Sequence, residues 1–287
     1  MIPVELNQSQ RRVFDDAIKW WRHGTEQTFE ISGPPGSGKT FLINKILEAL
    51  HIDIERVAPM AYTGSATINM RTKGMQNAGT IFSWLYDFVE MPVLNDKGEQ
   101  ELDPIFNKPK FKMVFIPKTH LDNIDLIIVD EAGMVPADMR LIIDSMNIPV
   151  IAAGDIDQLP PVVGKPGYLN NPERVHKLTE IMRQASDNTI IKFSQLLING
   201  RPLPHGKFRN VTVIYHDEVT DNMIAQSDIV ICGKNATRDN INNHVRHDMF
   251  GFINSIPNLG ERVVCRKNNW QEECGGISLT NGLVGNC

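Results

Sequence analysis

Residues 33–40, which read GPPGSGKT, constrain the fold more than any other part of this chain. They match the pattern G-x-x-x-x-G-K-[ST] completely, and they lie between a short apolar stretch at 29–32 and a helical pattern at 41–50. Glycines let backbone N–H groups converge on phosphate oxygens, and the N-terminus of the following helix adds partial positive charge. The loop therefore predicts a nucleoside triphosphate site. The alternative is a glycine-rich turn that only joins a strand to a helix.

The side chains at the end of this loop predict the two cofactors of the site, ATP and Mg²⁺. Lys39 is expected to reach the β- and γ-phosphates, and the Thr40 hydroxyl is expected to bind Mg²⁺. The predicted nucleotide-binding residues are those of the whole loop: Gly33, Pro34, Pro35, Gly36, Ser37, Gly38, Lys39 and Thr40.

Polar residues with catalytic potential follow two further apolar stretches. Asp130, after 126–129, is predicted to hold Mg²⁺ through its water shell, and Glu131 is predicted to orient or deprotonate the attacking water. Gln158, in the sequence GDIDQLPPV at 154–162, offers donors and an acceptor and is predicted to sense the γ-phosphate or that water. The alternatives are carboxylates that only cap a strand end and a loop that is stiffened by Pro-Pro.

Short apolar stretches without strict alternation favour a parallel sheet that is buried on both faces. Such stretches predict strands at 29–32, 57–59, 126–129 and 149–153. With helical patterns between them, they predict a doubly wound α/β domain. The length of 287 residues suits two domains. A strand at 229–232, followed by a helix from about residue 236, predicts a second α/β domain.

The stretch 92–117 interrupts this pattern. The turn sequence NDKG at 95–98 separates an acidic arm from a basic arm that also carries phenylalanines, so the stretch predicts an inserted hairpin. The alternative gives the hairpin no function beyond its own folding, because the two arms can pair through their opposite charges.

Composition limits the classes of partner. Lys and Arg total 29 against 34 Asp and Glu, for a formal charge of −5, so any nucleic-acid contact is expected in a local groove. The N-terminus has no apolar segment ahead of a cleavage site, and no apolar run approaches the length of a membrane span, so no membrane partner is predicted. Four cysteines without a CxxC pair favour reduced thiols in the cytoplasm.

In their order along the chain, these blocks resemble the motifs of superfamily-one DNA helicases of the RecD and Dda branch. Two more blocks carry the resemblance: LNQSQ at 6–10 is similar to an adenine-reading glutamine motif, and LTEIMRQ at 178–184 is similar to a motif whose arginine contacts the γ-phosphate. The resemblance implies that Gln10 reads adenine and that Arg183 neutralises phosphoryl charge. It argues against a small-molecule kinase, which needs neither LTEIMRQ nor GDIDQLPPV.

The same resemblance implies a domain organisation. It implies a RecA-like P-loop NTPase domain with a parallel sheet at 1–185. An inserted β-hairpin subdomain is expected at about 90–118, where this branch inserts its strand-separating subdomain. A partial second RecA-like domain is expected at 186–287. The late motifs of the family are not found in the sequence, so the expectation is either a truncated chain or a protein whose remainder lies in another polypeptide. In both cases this chain is expected to hydrolyse ATP weakly and to unwind poorly by itself.

DNA contacts are implied for two segments. The first, YTGSA at 62–66, carries Thr63 and Gly64. The second, GTIFSW at 79–84, carries Thr80 and Phe82. Phe82 stands where the family usually has histidine, but its ring can still stack on a base. The alternative is that both threonines are ordinary helix caps.

The implied function is an ATP-dependent DNA helicase or translocase with 5′ to 3′ polarity, acting on single-stranded or forked DNA. Replication or recombination proteins are further expected partners, and the cytoplasm of a bacterial cell or a phage-infected host is the expected location. The alternative is a nucleotide-gated DNA-binding module with weak catalysis, which the missing late motifs favour.

Overall fold

The computed structural model describes residues 5–102, 107–180, 188–254, 256–266, 269–274, 277–279 and 284–287. The chain separates into two compact units, Met1–Met182 and Arg183–Cys287. Within the described residues, no helix combines the length and the apolar character that crossing a membrane requires.

The first unit contains a parallel sheet and an antiparallel hairpin. In chain order, its strands are β1 (Thr28–Ser32), β2 (Val57–Ala61), β3 (Gly79–Thr80), β4 (Tyr86–Pro92), β5 (Phe111–Pro117), β6 (Leu126–Asp130), β7 (Val150–Gly154) and β8 (Val175–Lys177). The parallel sheet has the order β3-β2-β6-β7-β1-β8. Because its strands all run in one direction, the loops after β1, β6 and β7 meet at the same edge. The predicted strands at 29–32, 57–59, 126–129 and 149–153 are confirmed.

Helices cover both faces of this sheet. They are α1 (Gln8–His23), α2 (Lys39–Leu50), α3 (Gly64–Thr72), α4 (Ile81–Leu85) and α5 (Ala137–Ser145), with short 3-10 turns at Ile54–Arg56 and Ala132–Met134. Side chains of the central strands alternate between two buried clusters. Ile128 packs with α1 and α2 residues such as Val13 and Leu42, whereas Ile127 packs with α5 residues such as Ile143. This two-sided burial explains the near-continuous apolar runs, and it confirms the doubly wound α/β prediction.

A capping box begins α1 and fixes the position of its first turn. The Asn7 side chain accepts a hydrogen bond from Gln10 N at 2.8 Å, and Gln10 Oε1 accepts one from Asn7 N at 3.1 Å. Glu180 Oε1 accepts a further bond from Ser9 N at 2.8 Å. The helix ends at Gly24, whose φ of 59° is the left-handed conformation that glycine adopts without steric cost.

The inserted hairpin is present and begins earlier than the predicted residue 90. Strands β4 and β5 pair antiparallel from Tyr86 opposite Pro117 to Pro92 opposite Phe111. The stretch before residue 90 is already extended because its backbone pairs with β5. Charge pairing between the arms also occurs, since Lys110 Nζ lies 3.3 Å from Glu101 Oε2. Residues 103–106, which include part of both arms, lie outside the described residues.

The second unit contains short elements. Its helices are α6 (Thr189–Ile198), α7 (Asp221–Ala225) and α8 (Asn235–Asn243), and α8 continues into a π-helical turn, His244–Met249. Its strands are β9 (Gly206–Phe208), β10 (Val211–Val213), β11 (Arg262–Val264), β12 (Asn269–Cys274), β13 (Ile277–Leu279) and β14 (Val284–Asn286). They pair antiparallel as β9–β10, β11–β14 and β12–β13.

The predicted strand at 229–232 is wrong, whereas the helix predicted from about residue 236 is confirmed by α8. The side chains of Ile229 and Ile231 are 68% and 86% exposed. A strand needs a neighbouring strand to bind its backbone N–H and C=O groups. Among the described residues of this unit, the paired strands are formed by other segments, so the apolar run 229–232 has no sheet to join.

Candidate functional site

The loop at 33–40 joins β1 to α2 and has the backbone that its glycines allow. Gly36 and Gly38 both have φ of 81°, a region that residues with a Cβ rarely adopt. A Cβ on Gly33 would lie 2.6 Å from Ser37 Oγ and 2.9 Å from Leu178 Cβ, so only glycine fits there. The loop therefore turns the N-terminus of α2, with its unpaired N–H groups, toward the edge of the sheet.

Lys39 lies among acidic side chains at this edge. Its Nζ donates hydrogen bonds to Gly33 O at 2.6 Å and to Pro34 O at 3.4 Å. Burial lowers the pKa of Lys39, and the nearby charges of Asp155, Glu131 and Asp130 raise it. The ammonium group is therefore held next to the loop, and the three carboxylates lie around it. A phosphate group bound at the loop would face the ammonium group and these carboxylates.

A buried hydroxyl tests whether the loop fits a phosphate group. Ser37 Oγ is fully buried and has no hydrogen-bond partner among the described residues. A buried polar atom without a partner is uncommon in a folded protein and points to a missing ligand or water. Together with the positive-φ glycines and Lys39, this hydroxyl fits a triphosphate. Thr40 at the start of α2 and Asp130 at the end of β6 are oxygen donors of the kind that Mg²⁺ prefers.

Glu131 has a strained backbone at the end of β6. Its φ of 51° is unusual for a residue with a Cβ, and it directly precedes the 3-10 turn Ala132–Met134. Burial raises the pKa of Glu131, the neighbouring Asp130 raises it further, and Lys39 opposes both. Strain and a raised carboxyl pKa together are typical of a residue that is kept for catalysis. The geometry suits the predicted water-activating role, which stays a prediction.

Gln10 contacts the phosphate loop directly. Its Nε2 donates a hydrogen bond to Ser37 O at 2.9 Å, while its Oε1 accepts from Asn7 N. The side chain is 1% exposed. In this structure Gln10 thus connects the first turn of α1 to the loop that surrounds the phosphate position. The amide keeps a second N–H and a second lone pair beside these two bonds, and reading adenine, as the resemblance implies, stays a prediction.

The segment after β7 contributes a residue that the sequence analysis missed. Asp155 is 6% exposed, and it is the first of the charges that hold Lys39 protonated. The sequence signal for it was present, because a carboxylate that directly follows a buried strand is the same signal that identified Asp130. Gln158 itself is exposed on this loop, and its role stays a prediction. Arg183 lies outside the described residues.

A partly buried ion pair fixes the loop that carries Asp155 and Gln158. Glu30, in the middle of β1, accepts hydrogen bonds from Leu169 N at 2.7 Å and from Arg140 Nη1 at 3.2 Å. Arg140 Nη1 also donates to Gly167 O at 2.6 Å, and the guanidinium lies 4.8 Å from the centre of the Tyr168 ring. One carboxylate on β1 thus holds the returning end of the loop.

Glu30→Ala is expected to lower the free energy of unfolding by about 3 kcal/mol, because it leaves Arg140 and Leu169 N–H without their buried acceptor. Urea unfolding followed by tryptophan fluorescence measures this loss. The control is Arg56→Ala, which breaks the exposed pair of Arg56 with Asp125 and should cost less than about 1 kcal/mol. Equal losses for the two variants would contradict the structural role of Glu30.

The predicted DNA-contacting segments lie together at the far end of the sheet. Ala61 of β2 pairs with Thr80 at the end of β3, so Thr63 and Gly64, which follow β2, lie near Thr80. Thr63 Oγ1 accepts from Ala66 N at 3.3 Å and begins α3. Thr80 Oγ1 accepts from Ser83 N at 3.2 Å and begins α4. The alternative reading of both threonines as helix caps is therefore confirmed, and contact with DNA stays a prediction.

Phe82 is accessible at the same place. Its side chain is 46% exposed, and its ring stacks on Tyr86 with 5.4 Å between ring centres. An exposed aromatic ring that is already held by a neighbour presents a flat apolar face to solvent. Such a face suits base stacking because every base has a π-face.

The fold and the phosphate loop define the class, a P-loop nucleotide-binding domain with a RecA-like parallel sheet. A family model described as an AAA domain matches residues 5–213. The chain therefore belongs to this AAA domain family and, within it, to the Pif1/RecD-like branch of the superfamily-one helicases. The resemblance that the sequence motifs indicated is confirmed at this level.

Similar proteins support this membership. An ATP-dependent DNA helicase PIF1 of Trypanosoma brucei brucei is 26% identical over 191 residues, covering 62% of this chain and 16% of that protein. The RecBCD enzyme subunit RecD of Buchnera aphidicola is 29% identical over 185 residues, covering 57% of this chain and 29% of that protein. The chain thus spans less than a third of the length of either relative.

A solved structure supports the fold. A crystal structure of Bacteroides Pif1 bound to single-stranded DNA matches with a TM-score of 0.51 and 18% identity, covering 99% of this chain and 69% of that one. At this identity the match confirms the α/β architecture and carries no residue roles.

Proposed function

We propose that this chain is an ATP-driven helicase or translocase that acts on single-stranded DNA. The observation that carries the proposal is the meeting of Lys39, Asp130, Glu131 and Asp155 at one sheet edge, beside a loop shaped for phosphate. This set has the parts that phosphoryl transfer to water needs: a cation for the phosphates, carboxylates for a metal, and a base.

The residues of the chain divide the reaction between them. The backbone of 33–40 and the N-terminus of α2 orient the triphosphate, while Lys39 moves from Gly33 O to the β- and γ-phosphates. Glu131 takes a proton from the attacking water, and Gln158 senses the γ-phosphate or that water. The family resemblance assigns Arg183 to the γ-phosphate. Mg²⁺, held by Thr40 and Asp130, would neutralise charge that develops on the phosphate oxygens.

The DNA partner is proposed from the same family membership and from the exposed surface beside β2 and β3. The named relatives are an ATP-dependent DNA helicase and a RecD subunit, and the Bacteroides structure holds single-stranded DNA. Thr63, Gly64, Thr80 and Phe82 are the proposed contacts. Polarity of 5′ to 3′, forked DNA as a further substrate, replication or recombination partners and a cytoplasmic location are parts of the proposal.

Phe82→Ala is expected to weaken binding to single-stranded DNA about tenfold, because stacking of a base on an aromatic ring contributes about 1–3 kcal/mol. Fluorescence anisotropy with a labelled oligonucleotide measures the affinity. Phe82→His should retain most of it, since imidazole also stacks. Leu141→Ala, which truncates an equally apolar side chain that is 70% exposed on α5, is the control. Wild-type affinity in Phe82→Ala would remove Phe82 from the DNA site.

One pair of measurements separates this function from a nucleotide-gated DNA-binding module. DNA affinity is measured without nucleotide, with ATP and with a non-hydrolysable analogue, and ATP turnover is measured in parallel. The motor predicts that affinity changes with nucleotide and that each chain turns over ATP repeatedly. Nucleotide-dependent affinity with negligible turnover would favour the binding module instead. A DNA affinity that does not change with nucleotide would contradict both the motor and the nucleotide-gated module.

A further inference from the structure

A second lysine reaches the site from the end of α3. Lys73 follows this helix directly, and its Nζ lies 3.4 Å from Thr40 Oγ1. Its backbone is held from the same side, since Asn44 Nδ2 of α2 donates to Lys73 O at 3.4 Å. The end of α3 is therefore tied to the phosphate-loop helix at two points, one of which is the hydroxyl predicted to bind Mg²⁺.

The charge of Lys73 acts on the other groups of the site. It opposes protonation of Lys39 and so lowers the pKa of that ammonium group, although burial is the larger cause. It also favours ionised Glu131, against the burial that raises the pKa of this carboxyl. Lys73 thus lies within the field of the same carboxylates that surround Lys39. It supplies part of the positive charge beside these carboxylates.

A lysine in this position competes with a metal ion for Thr40. Mg²⁺ binds its oxygen ligands at about 2.0–2.1 Å and demands near-ideal geometry. An ammonium group that remained within hydrogen-bond distance of the same oxygen would be a few ångströms from the ion, and the two cations would repel each other strongly. Lys73 is exposed, so its long side chain can turn away into solvent without disrupting the core.

We propose that Lys73 is a place-holding cation for the nucleotide-free site: it occupies Thr40 Oγ1 until Mg²⁺ arrives with the nucleotide, and Mg²⁺ displaces it. The inference rests on the proposed function, because it needs a Mg²⁺-nucleotide site at Thr40. Its consequence is that loading the site releases one of the two contacts at the C-terminal end of α3. The N-terminal end of this helix is Gly64, one of the proposed DNA contacts.

The test compares nucleotide binding with and without Mg²⁺. Binding of a fluorescent ATP analogue to the full chain is titrated in excess Mg²⁺ and in EDTA, and the Mg²⁺ midpoint is measured at fixed nucleotide. Lys73→Met removes the competitor. Without this competitor, nucleotide should bind more tightly in Mg²⁺, and the Mg²⁺ midpoint should fall about threefold to tenfold. The size of the fall depends on the fraction of wild-type molecules in which Lys73 contacts Thr40. Binding in EDTA should not tighten, since the variant has lost a charge that attracts phosphate.

Controls keep the outcomes separate. Lys19→Met makes the same change on α1, where Lys19 pairs with Asp16, and should behave as wild type. An unchanged Mg²⁺ midpoint in Lys73→Met would overturn the inference alone. Weaker binding in both Mg²⁺ and EDTA would also overturn it, because Lys73 would then be a phosphate ligand. Failure of the wild-type chain to bind nucleotide at all would overturn the proposed function, and the inference with it.

Discussion

Lys39→Ala is expected to abolish measurable ATP hydrolysis, with a fall in kcat/KM of about 10³-fold or more. The ammonium group lies beside the loop at 2.6 Å from Gly33 O and is the charge placed to reach the β- and γ-phosphates. Alanine leaves Asp130, Glu131 and Asp155 facing the triphosphate without it, so repulsion between like charges is added to the lost attraction. Steady-state hydrolysis and binding of a fluorescent ATP analogue measure the two parts of this loss.

The control for this variant lies on the same helix. Lys45→Ala removes an ammonium group that pairs with Glu48 at 2.6 Å, on the exposed surface of α2. It should hydrolyse ATP like the wild-type chain, because loss of an exposed pair costs under about 1 kcal/mol of stability. Hydrolysis near the wild-type rate in Lys39→Ala would show that the loop at 33–40 does not hold the reacting triphosphate.

Glu131→Gln is expected to stop hydrolysis while nucleotide binding is kept. Glutamine has the same shape and can hold the same backbone conformation, but it cannot accept the proton of the attacking water. Loss of a positioned general base costs about 10²–10⁴-fold in rate. Binding should not weaken, because the substitution removes one of the negative charges that face the phosphates. Single-turnover hydrolysis, together with a binding titration, measures both effects.

A matched substitution isolates the effect of position. Glu48→Gln makes the same chemical change on α2, where the side chain is 64% exposed, and should leave both hydrolysis and binding unchanged. If Glu131→Gln retained full activity, Glu131 would not activate the water. Another carboxylate at this edge would then have that role, and Asp155 would be the next residue to mutate.

The parts of the site that the sequence predicted are local. Within a few residues, the sequence contains the strand before residue 33, the glycines of the loop and the start of α2. The local pattern is therefore enough to predict the local geometry. Asp130 was predicted for a similar reason. The strands of a parallel sheet all end at the same edge, so a carboxylate at the end of a buried strand lies at that edge. The doubly wound architecture followed from apolar runs that are buried on both faces.

The parts that the sequence did not predict depend on contacts between distant residues. Glu30 reads as a charge in the middle of a strand, and only the fold shows that it binds Arg140 and Leu169. Lys73 is similar: no pattern near residue 73 indicates that it reaches Thr40. The prediction of a strand at 229–232 was wrong because an apolar run forms a strand only where a neighbouring strand pairs with it.

DNA-dependent motor activity is tested most directly by the rate of ATP hydrolysis across a titration of single-stranded oligonucleotide in low salt. A motor that moves on DNA couples the two ligands, so each must change the affinity or turnover of the other. We expect hydrolysis to rise with oligonucleotide and to saturate, and we expect Glu131→Gln to show no rise while it still binds the oligonucleotide. A rate that stays constant over the whole titration would contradict the assignment of this chain as a DNA-dependent motor.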